Sequence, residues 1–278
     1  MSKVAVIGLV GNSAFLSVDK FHEGGETVVA KDIHFEPGGK GFNQAVSAAR
    51  MGAEVSFLGA VGNDYFKDVM EFCKQENISA YIKVKEEKTA YASIITDSFG
   101  ENRVTVYQGA FLSRADVECF EKEIERAHVL LINNEVPEDV NVEAVKVAKK
   151  HGTKVIFNPA PSRKICPYLL ENTDLFTPNE FEASALENRE NLVITLGSKG
   201  CLIKELKKTL PAFSVGSVVD TTGAGDTFNG VFATLLGDGF DVEKAASISN
   251  VAAAISVTKK YAVSSIPTKE EVLNAIAE

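Results

Sequence analysis

The sequence predicts an α/β fold in three layers, α/β/α, with a central, mostly parallel sheet covered by helices. Short apolar runs alternate with segments of helical spacing through most of the 278 residues. Strand-then-helix order, with strands apolar throughout, is the pattern of a parallel sheet buried on both faces. Hydrophobic residues make up 45% of the chain and charged residues 24%, as in a globular protein long enough to bury such a sheet. Two further stretches break the rhythm and read as partly exposed strands, so a small second sheet is expected beside the first.

Taken in order, strands are expected at Val4–Leu9, Val55–Ala60, Val129–Asn133, Lys154–Asn158, Asp174–Thr177 and Leu192–Leu196. The first run, VAVIGL, superficially suggests a signal peptide. Gly8 and Gly11 break it early and Asp19 and Lys20 follow, so a buried first strand is the better reading. Helical spacing marks Phe42–Met51, Phe66–Gln75 and Val140–Lys150. From Thr227 the chain is mainly helical, with Phe228, Val231, Phe232, Leu235 and Leu236 on one face, and Asp241–Val257 and Lys269–Ala277 continue it. The off-rhythm strands are Glu26–Phe35 and Thr89–Tyr107, the second containing a turn at Asp97–Asn102. They are read either as a flap over the strand C-terminal ends, where α/β folds bind ligands, or as plain hairpins.

Cys73, Cys119, Cys166 and Cys201 are scattered without a CxxC pair, which argues against a zinc site and a disulfide framework and for a reducing, cytoplasmic compartment. No apolar run approaches the ~18 residues that cross a bilayer. The net charge of −9 disfavours nucleic acid as a partner. An anionic small ligand must therefore be held by local backbone dipoles and a metal ion.

Asp220–Gly230, DTTGAGDTFNG, carries the most chemistry. Gly223, Ala224 and Gly225 leave backbone N–H groups unobstructed at a helix N-terminus, which makes an anion site. Asp226 in that mouth is placed to take a proton from a hydroxyl while the amides stabilise a phosphoryl group. The alternative is an ordinary helix start, with Asp220, Thr221 or Thr222 capping and Asp226 favourable in the first turn. In EPGGKGFNQA, Glu36–Ala45, the glycines permit close backbone approach and Asn43 suits sugar hydroxyls, or the stretch is simply a turn feeding a helix. Neither a Walker A loop nor GxGxxG occurs. In TPNEFE, Asn179 and Glu182 suit a hydrated Mg²⁺ beside phosphates, or form a capping box. ITLGSKG, Ile194–Gly200, adds a glycine-bearing turn after a strand, and NNEVPE places Glu135 just beyond another.

In this order, with NPAPSR at Asn158–Arg163 between them, the stretches resemble the ribokinase-like family, also called the PfkB carbohydrate kinases. The resemblance covers nearly the whole chain. It implies one ribokinase-like domain over residues 1–278, with lid segments around 12–37 and 89–108 and a homodimer built through the lid. It implies Asp226 as the base, with the amides of Gly223, Ala224 and Gly225 as the anion hole. Asn12, Ser13, Gly38, Gly39, Lys40, Asn43 and Glu135 would meet the sugar. Asn179, Thr195, Gly197 and Asn250 would line the ATP site, and Glu182 would hold Mg²⁺ through water. A monovalent cation, K⁺, would be bound by Asp220, Thr222, Val257, Lys260, Ala262 and Ser265, several through carbonyls.

The chain also departs from the family. Where the family has Asn-x-Asp after the first strand, this sequence reads Gly11-Asn12-Ser13, so the carboxylate that grips two sugar hydroxyls is missing and ribose is in doubt. A neutral hydrogen bond is roughly half as strong as a charge-assisted one. Tyr261 stands where the family has a glycine in the cation loop, which weakens the K⁺ inference. The segment between Glu182 and Leu192 is shorter, so donor preference is open. The expected function is ATP-dependent phosphorylation of a hydroxyl on a small sugar-like substrate. A nucleoside acceptor is the first alternative and a non-catalytic ligand-binding relative the second. Only Lys40 and Arg103 are at hand to bind a second phosphate, which disfavours phosphosugars.

Overall fold

The computed structural model describes residues 1–186 and 188–277. The chain begins with β1 (Lys3–Ile7), β2 (Gly11–Ser17), β3 (Asp32–Gly38), α1 (Lys40–Arg50), β4 (Glu54–Gly62) and α2 (Phe66–Gln75). It continues through β5 (Ile78–Lys85), β6 (Ala90–Thr96), β7 (Asn102–Tyr107), α3 (Arg114–Glu118), α4 (Glu121–Arg126) and β8 (Val129–Asn133). Then come α5 (Glu138–His151), β9 (Lys154–Asn158), α6 (Pro167–Asn172), β10 (Leu175–Phe176), α7 (Glu180–Ala183) and β11 (Val193–Thr195). The last elements are β12 (Cys201–Ile203), β13 (Lys208–Leu210), α8 (Ala224–Gly237), α9 (Val242–Ser256) and α10 (Lys269–Ala277).

Six strands form the central sheet in the order β10-β9-β8-β1-β4-β5, and every pairing is parallel. Successive side chains of a strand leave on opposite faces, and β1 shows the result. Val4 and Val6 enter one apolar core with Phe42 of α1 and Phe228, Val231 and Phe232 of α8. Ala5 and Ile7 enter the other, with Phe120, Ile124 and the buried face of α5. Helices thus cover both faces, as the sequence predicts. The Leu192–Leu196 strand forms as β11 but lies in a separate antiparallel sheet, β11-β12-β13. Two isolated parallel bridges, Phe176↔Leu192 and Asn179↔Thr195, tie it to the edge of the central sheet.

The second sheet has the order β3-β2-β6-β7. Its outer pairs are antiparallel, but β2 and β6 run parallel, a mixed arrangement. The strand expected at Glu26–Phe35 starts only at Asp32 and runs on to Gly38. Its partner β2 follows β1 after three residues, so Gly8 and Gly11 mark a crossing from one sheet to the other. β5 has no counterpart among the expected strands. It is an edge strand, ISAYIKVK, with only Ile78 fully buried, and an apolar-run criterion passes over such a strand.

Candidate active site

Helix α8 opens on Gly223, whose φ of 77° lies in the left-handed region open to glycine. A side chain there would press on Ala262, whose Cα lies 3.2 Å from the Cβ position. The N–H groups of Gly223 and Gly225 have no acceptor among the described residues, and that of Ala224 has only a long contact, 3.4 Å, to the Thr221 carbonyl. These donors and the positive end of a 14-residue helix converge at one point.

Asp226 sits one turn in and is 5% exposed. Its Oδ2 accepts from Asn43 Nδ2 at 3.0 Å and its Oδ1 from Gln44 Nε2 at 3.1 Å. Two consecutive residues of α1 therefore fix the carboxylate from two sides. Gln44 also donates to Asn158 Oδ1, and Asn158 Nδ2 donates to the Thr177 carbonyl. The Thr177 hydroxyl donates to Asn229 Oδ1, and Asn229 Nδ2 donates to the Gly225 carbonyl. The circuit leaves Asp226 and returns to the Gly223–Gly225 turn, and Gln44, Asn158, Thr177 and Asn229 are all buried. Sequence reasoning assigned these residues no role, although NQA, NPAPSR and TPNE were all conspicuous. Their signal is an amide or hydroxyl at the end of a buried strand or on a buried helix face, where a polar group needs a partner.

Beside Asp226, Glu135 Oε2 accepts from the Lys40 backbone N–H at 2.6 Å, so the carboxylate caps α1. Burial pushes the Glu135 carboxyl up to about 7; Lys40 opposes this and Asp226 adds to it. The Lys40 ammonium is held above its usual range, first by Asp226 and then by Glu135 and Glu182 against burial. Gly39 has φ 104°, and a Cβ there would come within 2.5 Å of the Leu9 carbonyl oxygen. At Gly38 a Cβ would meet the Ser13 hydroxyl, the end of a side chain that can turn, so Gly39 is the glycine that space and backbone require. Asn43 spends its NH₂ on Asp226 and keeps a buried, unpartnered Oδ1. Ser13 and Glu36 are registered across β2 and β3 and share one face of the second sheet. Asn12 is registered with Pro37 and Tyr91 on the other face, its Oδ1 buried without a partner. The strand alternation therefore separates Asn12 from Ser13.

Thr195, Gly197 and Asn250 line a cavity of about 360 Å³ with Ala212, Phe213 and Val257. A second cleft of about 510 Å³ holds Lys40, Asn179, Gly223 and Asp226. The two meet at Thr195, Gly197, Thr221 and Gly225. Asn250 turns its NH₂ inward to the carbonyls of Leu210 and Pro211. Asn179 and Glu182 form the reciprocal capping box, Glu182 N to Asn179 Oδ1 at 2.8 Å and Asn179 N to Glu182 Oε2 at 2.9 Å. One Glu182 oxygen is thus committed to α7. Among the described residues no group of three His, Cys, Asp or Glu could hold a metal; a Mg²⁺ beside Glu182 would draw its remaining ligands from water and phosphate oxygens.

The loop expected to bind K⁺ is occupied by protein contacts. Asp220 accepts from Thr222 N and Tyr261 N, the Val257 carbonyl accepts from Val219 and Asp220, and Ser265 Oγ donates to the Ala262 carbonyl. Tyr261 adopts φ 72° without being glycine, and its ring stacks on His34 at 4.0 Å. These oxygens keep further lone pairs, so a cation here would share them with the bonded donors. Glu36 was quoted with the glycine stretch but given no role. It is 5% exposed and accepts from the N–H groups of Ala262, Val263 and Ser264.

The family described as pfkB family carbohydrate kinase matches residues 1–269. The chain is 36% identical to a ribokinase of Haemophilus influenzae over 97% of each sequence. Its fold matches a ribokinase crystal structure from Thermotoga maritima with a TM-score of 0.90 and 33% identity over the full length of both. It also matches the Arabidopsis thaliana ribokinase complexed with ribose and ATP, with a TM-score of 0.87 and 26% identity over 100% of this chain and 99% of that one.

Proposed function

We propose, from the premise that this chain belongs to the pfkB family of carbohydrate kinases, that Asp226 is the base of an ATP-dependent phosphoryl transfer to a small sugar-like acceptor. The class of reaction, a phosphotransferase acting on a hydroxyl, follows from that membership. The observation that carries the role of Asp226 is its place: a buried carboxylate held by two amide donors, in the helix mouth where the cleft and the cavity meet. An acceptor hydroxyl lying against it gives up its proton as the oxygen attacks the terminal phosphorus. The bond to the ADP oxygen then breaks. The amides of Gly223, Ala224 and Gly225 and the Lys40 ammonium stabilise the charge on the moving group. Glu182 with Asn179 would orient the water shell of a Mg²⁺ bound with the nucleotide, and that ion would supply neutralisation of phosphate charge. Thr195, Gly197 and the apolar wall at Phe213 and Val257 face the nucleoside end.

The absence of a carboxylate at Ser13 loosens the case for a free pentose and leaves a nucleoside as the second acceptor class. ADP release with Mg·ATP and K⁺ across pentoses, hexoses, polyols and nucleosides separates the two. Turnover of one acceptor, lost by orders of magnitude in Asp226→Asn, is the expected result. No turnover anywhere, with mutant and wild type alike, would leave a ligand-binding protein. A homodimer through the second sheet belongs to the same reading. Ile33, Phe35, Tyr91 and Tyr107 are exposed on its face away from Glu36, and a second copy would cover them.

A further inference from the structure

We propose that Glu36 is a positioning residue that couples the second sheet to the anion hole; the inference rests on the kinase reading above. Glu36 lies on β3, three residues before the Gly39 cap of α1. Its Oε1 accepts from Ala262 N at 2.8 Å and Val263 N at 2.9 Å, and its Oε2 from Ser264 N at 3.0 Å and Ser264 Oγ at 2.6 Å. Three consecutive amides converge on one buried carboxylate, a strong charge-assisted arrangement between segments far apart in the chain. His34 Nε2 lies 3.4 Å from both Glu36 Oε2 and Ser264 Oγ. Its ring stacks on Tyr261, and Tyr261 packs against Phe15 of β2 at 5.1 Å.

The clamped loop is itself tied to the catalytic turn. Tyr261 N donates to Asp220 Oδ2 at 3.0 Å, and Asp220 Oδ1 accepts from Thr222 N at 2.9 Å. Ala262 packs where a side chain on Gly223 would sit. A displacement of β3 therefore reaches Gly223 through Glu36, the 261–264 loop and Asp220. On its other side β3 runs straight into α1, whose Asn43 and Gln44 hold Asp226. The acceptor end and the phosphoryl end of the site are thus positioned by one strand, and Glu36 is the link to the phosphoryl end.

Hydrogen–deuterium exchange on the full chain without ligand tests this. Glu36→Gln is expected to speed exchange at least tenfold at residues 262–264 and at least threefold at Thr222 and Thr227, whose N–H groups donate to Asp220 Oδ1 and the Gly223 carbonyl, with β8 unchanged. Faster exchange at 262–264 alone, with Thr222 and Thr227 as in wild type, would overturn the coupling. Ser264→Ala removes one donor without touching the carboxylate, serves if Glu36→Gln does not fold, and is expected to change both segments in the same direction. With Mg·ATP and D-ribose, 2-deoxy-D-ribose or inosine, Glu36→Gln is expected to lower kcat at least tenfold and leave KM for ATP within threefold. A loss through KM alone would also overturn it. The exchange experiment needs no acceptor, so a wild type that phosphorylates none of these rejects the kinase reading separately.

Discussion

Asp226 occupies the first turn of α8, where any acid is favourable, yet a helix charge gains nothing from burial between two amide side chains. Burial there costs solvation that the Asn43 and Gln44 hydrogen bonds offset, and the arrangement makes sense for a group that must meet a hydroxyl in one orientation. Asp226→Asn keeps the shape and removes the proposed base. Steady-state kinetics should show kcat reduced by about 10²–10⁴-fold, with KM for ATP little changed. Glu135 offers a pH test. Its carboxyl titrates near 7 in the folded chain, against an ordinary value of 4.5. The folded protein therefore holds a proton that the unfolded chain releases. The stability this contributes is complete below about pH 4.5 and is lost as pH rises through 7. Thermal melts should show the wild-type Tm falling between pH 5 and 8, and Glu135→Gln should lack that contribution. Acceptor kcat/KM should inflect near pH 7 in wild type only.

Between α1 and α8 the contact is set by small residues. A Cβ on Gly230 would overlap the Gln44 carbonyl and come within 2.5 Å of Ser47 Cβ. The two helices can therefore approach closely enough for Asn43 and Gln44 to reach Asp226. Gly230→Ala should push α8 off α1 at a cost of about 1–3 kcal/mol, typical of overpacking, read by denaturant unfolding. It should also lower kcat more than that loss of stability explains. Most elements at this scale were legible in the sequence. Helix α2 and strands β8 and β9 fall where the periodicity puts them, because a buried parallel strand is apolar at every position and a surface helix on one stripe. β5 and the β12–β13 hairpin escaped because edge and short strands alternate with exposed residues, and a run of apolar residues is not there to be read. At α7, TPNEFE reads as a capping box, with a Mg²⁺ element as the other reading, and the capping bonds form whichever further role the second carboxylate oxygen has.

For the whole molecule, the ribokinase-like fold brings Glu135, Asn158 and Asn179, at or just past the ends of the parallel strands β8, β9 and β10, to one end of the central sheet, while Ser13 and Glu36 come from the second sheet. If that sheet mediates a dimer, sedimentation of the wild type should give twice the chain mass. Phe35→Asp, on the exposed face, should give monomers with the central fold intact. The sequence by itself determined the layered α/β architecture, the carbohydrate-kinase family and the glycine-flanked Asp226, since periodicity and contiguous motifs are local properties of the chain. Tertiary structure alone decided what meets across long separations. It brought Gln44, Asn158, Thr177 and Asn229 into a circuit with Asp226, separated Asn12 from Ser13, and put Glu36 on the amides of a loop more than two hundred residues away. The physical reason is that a buried polar group must find a partner, but which partner depends on the packing of elements whose spacing no local pattern encodes.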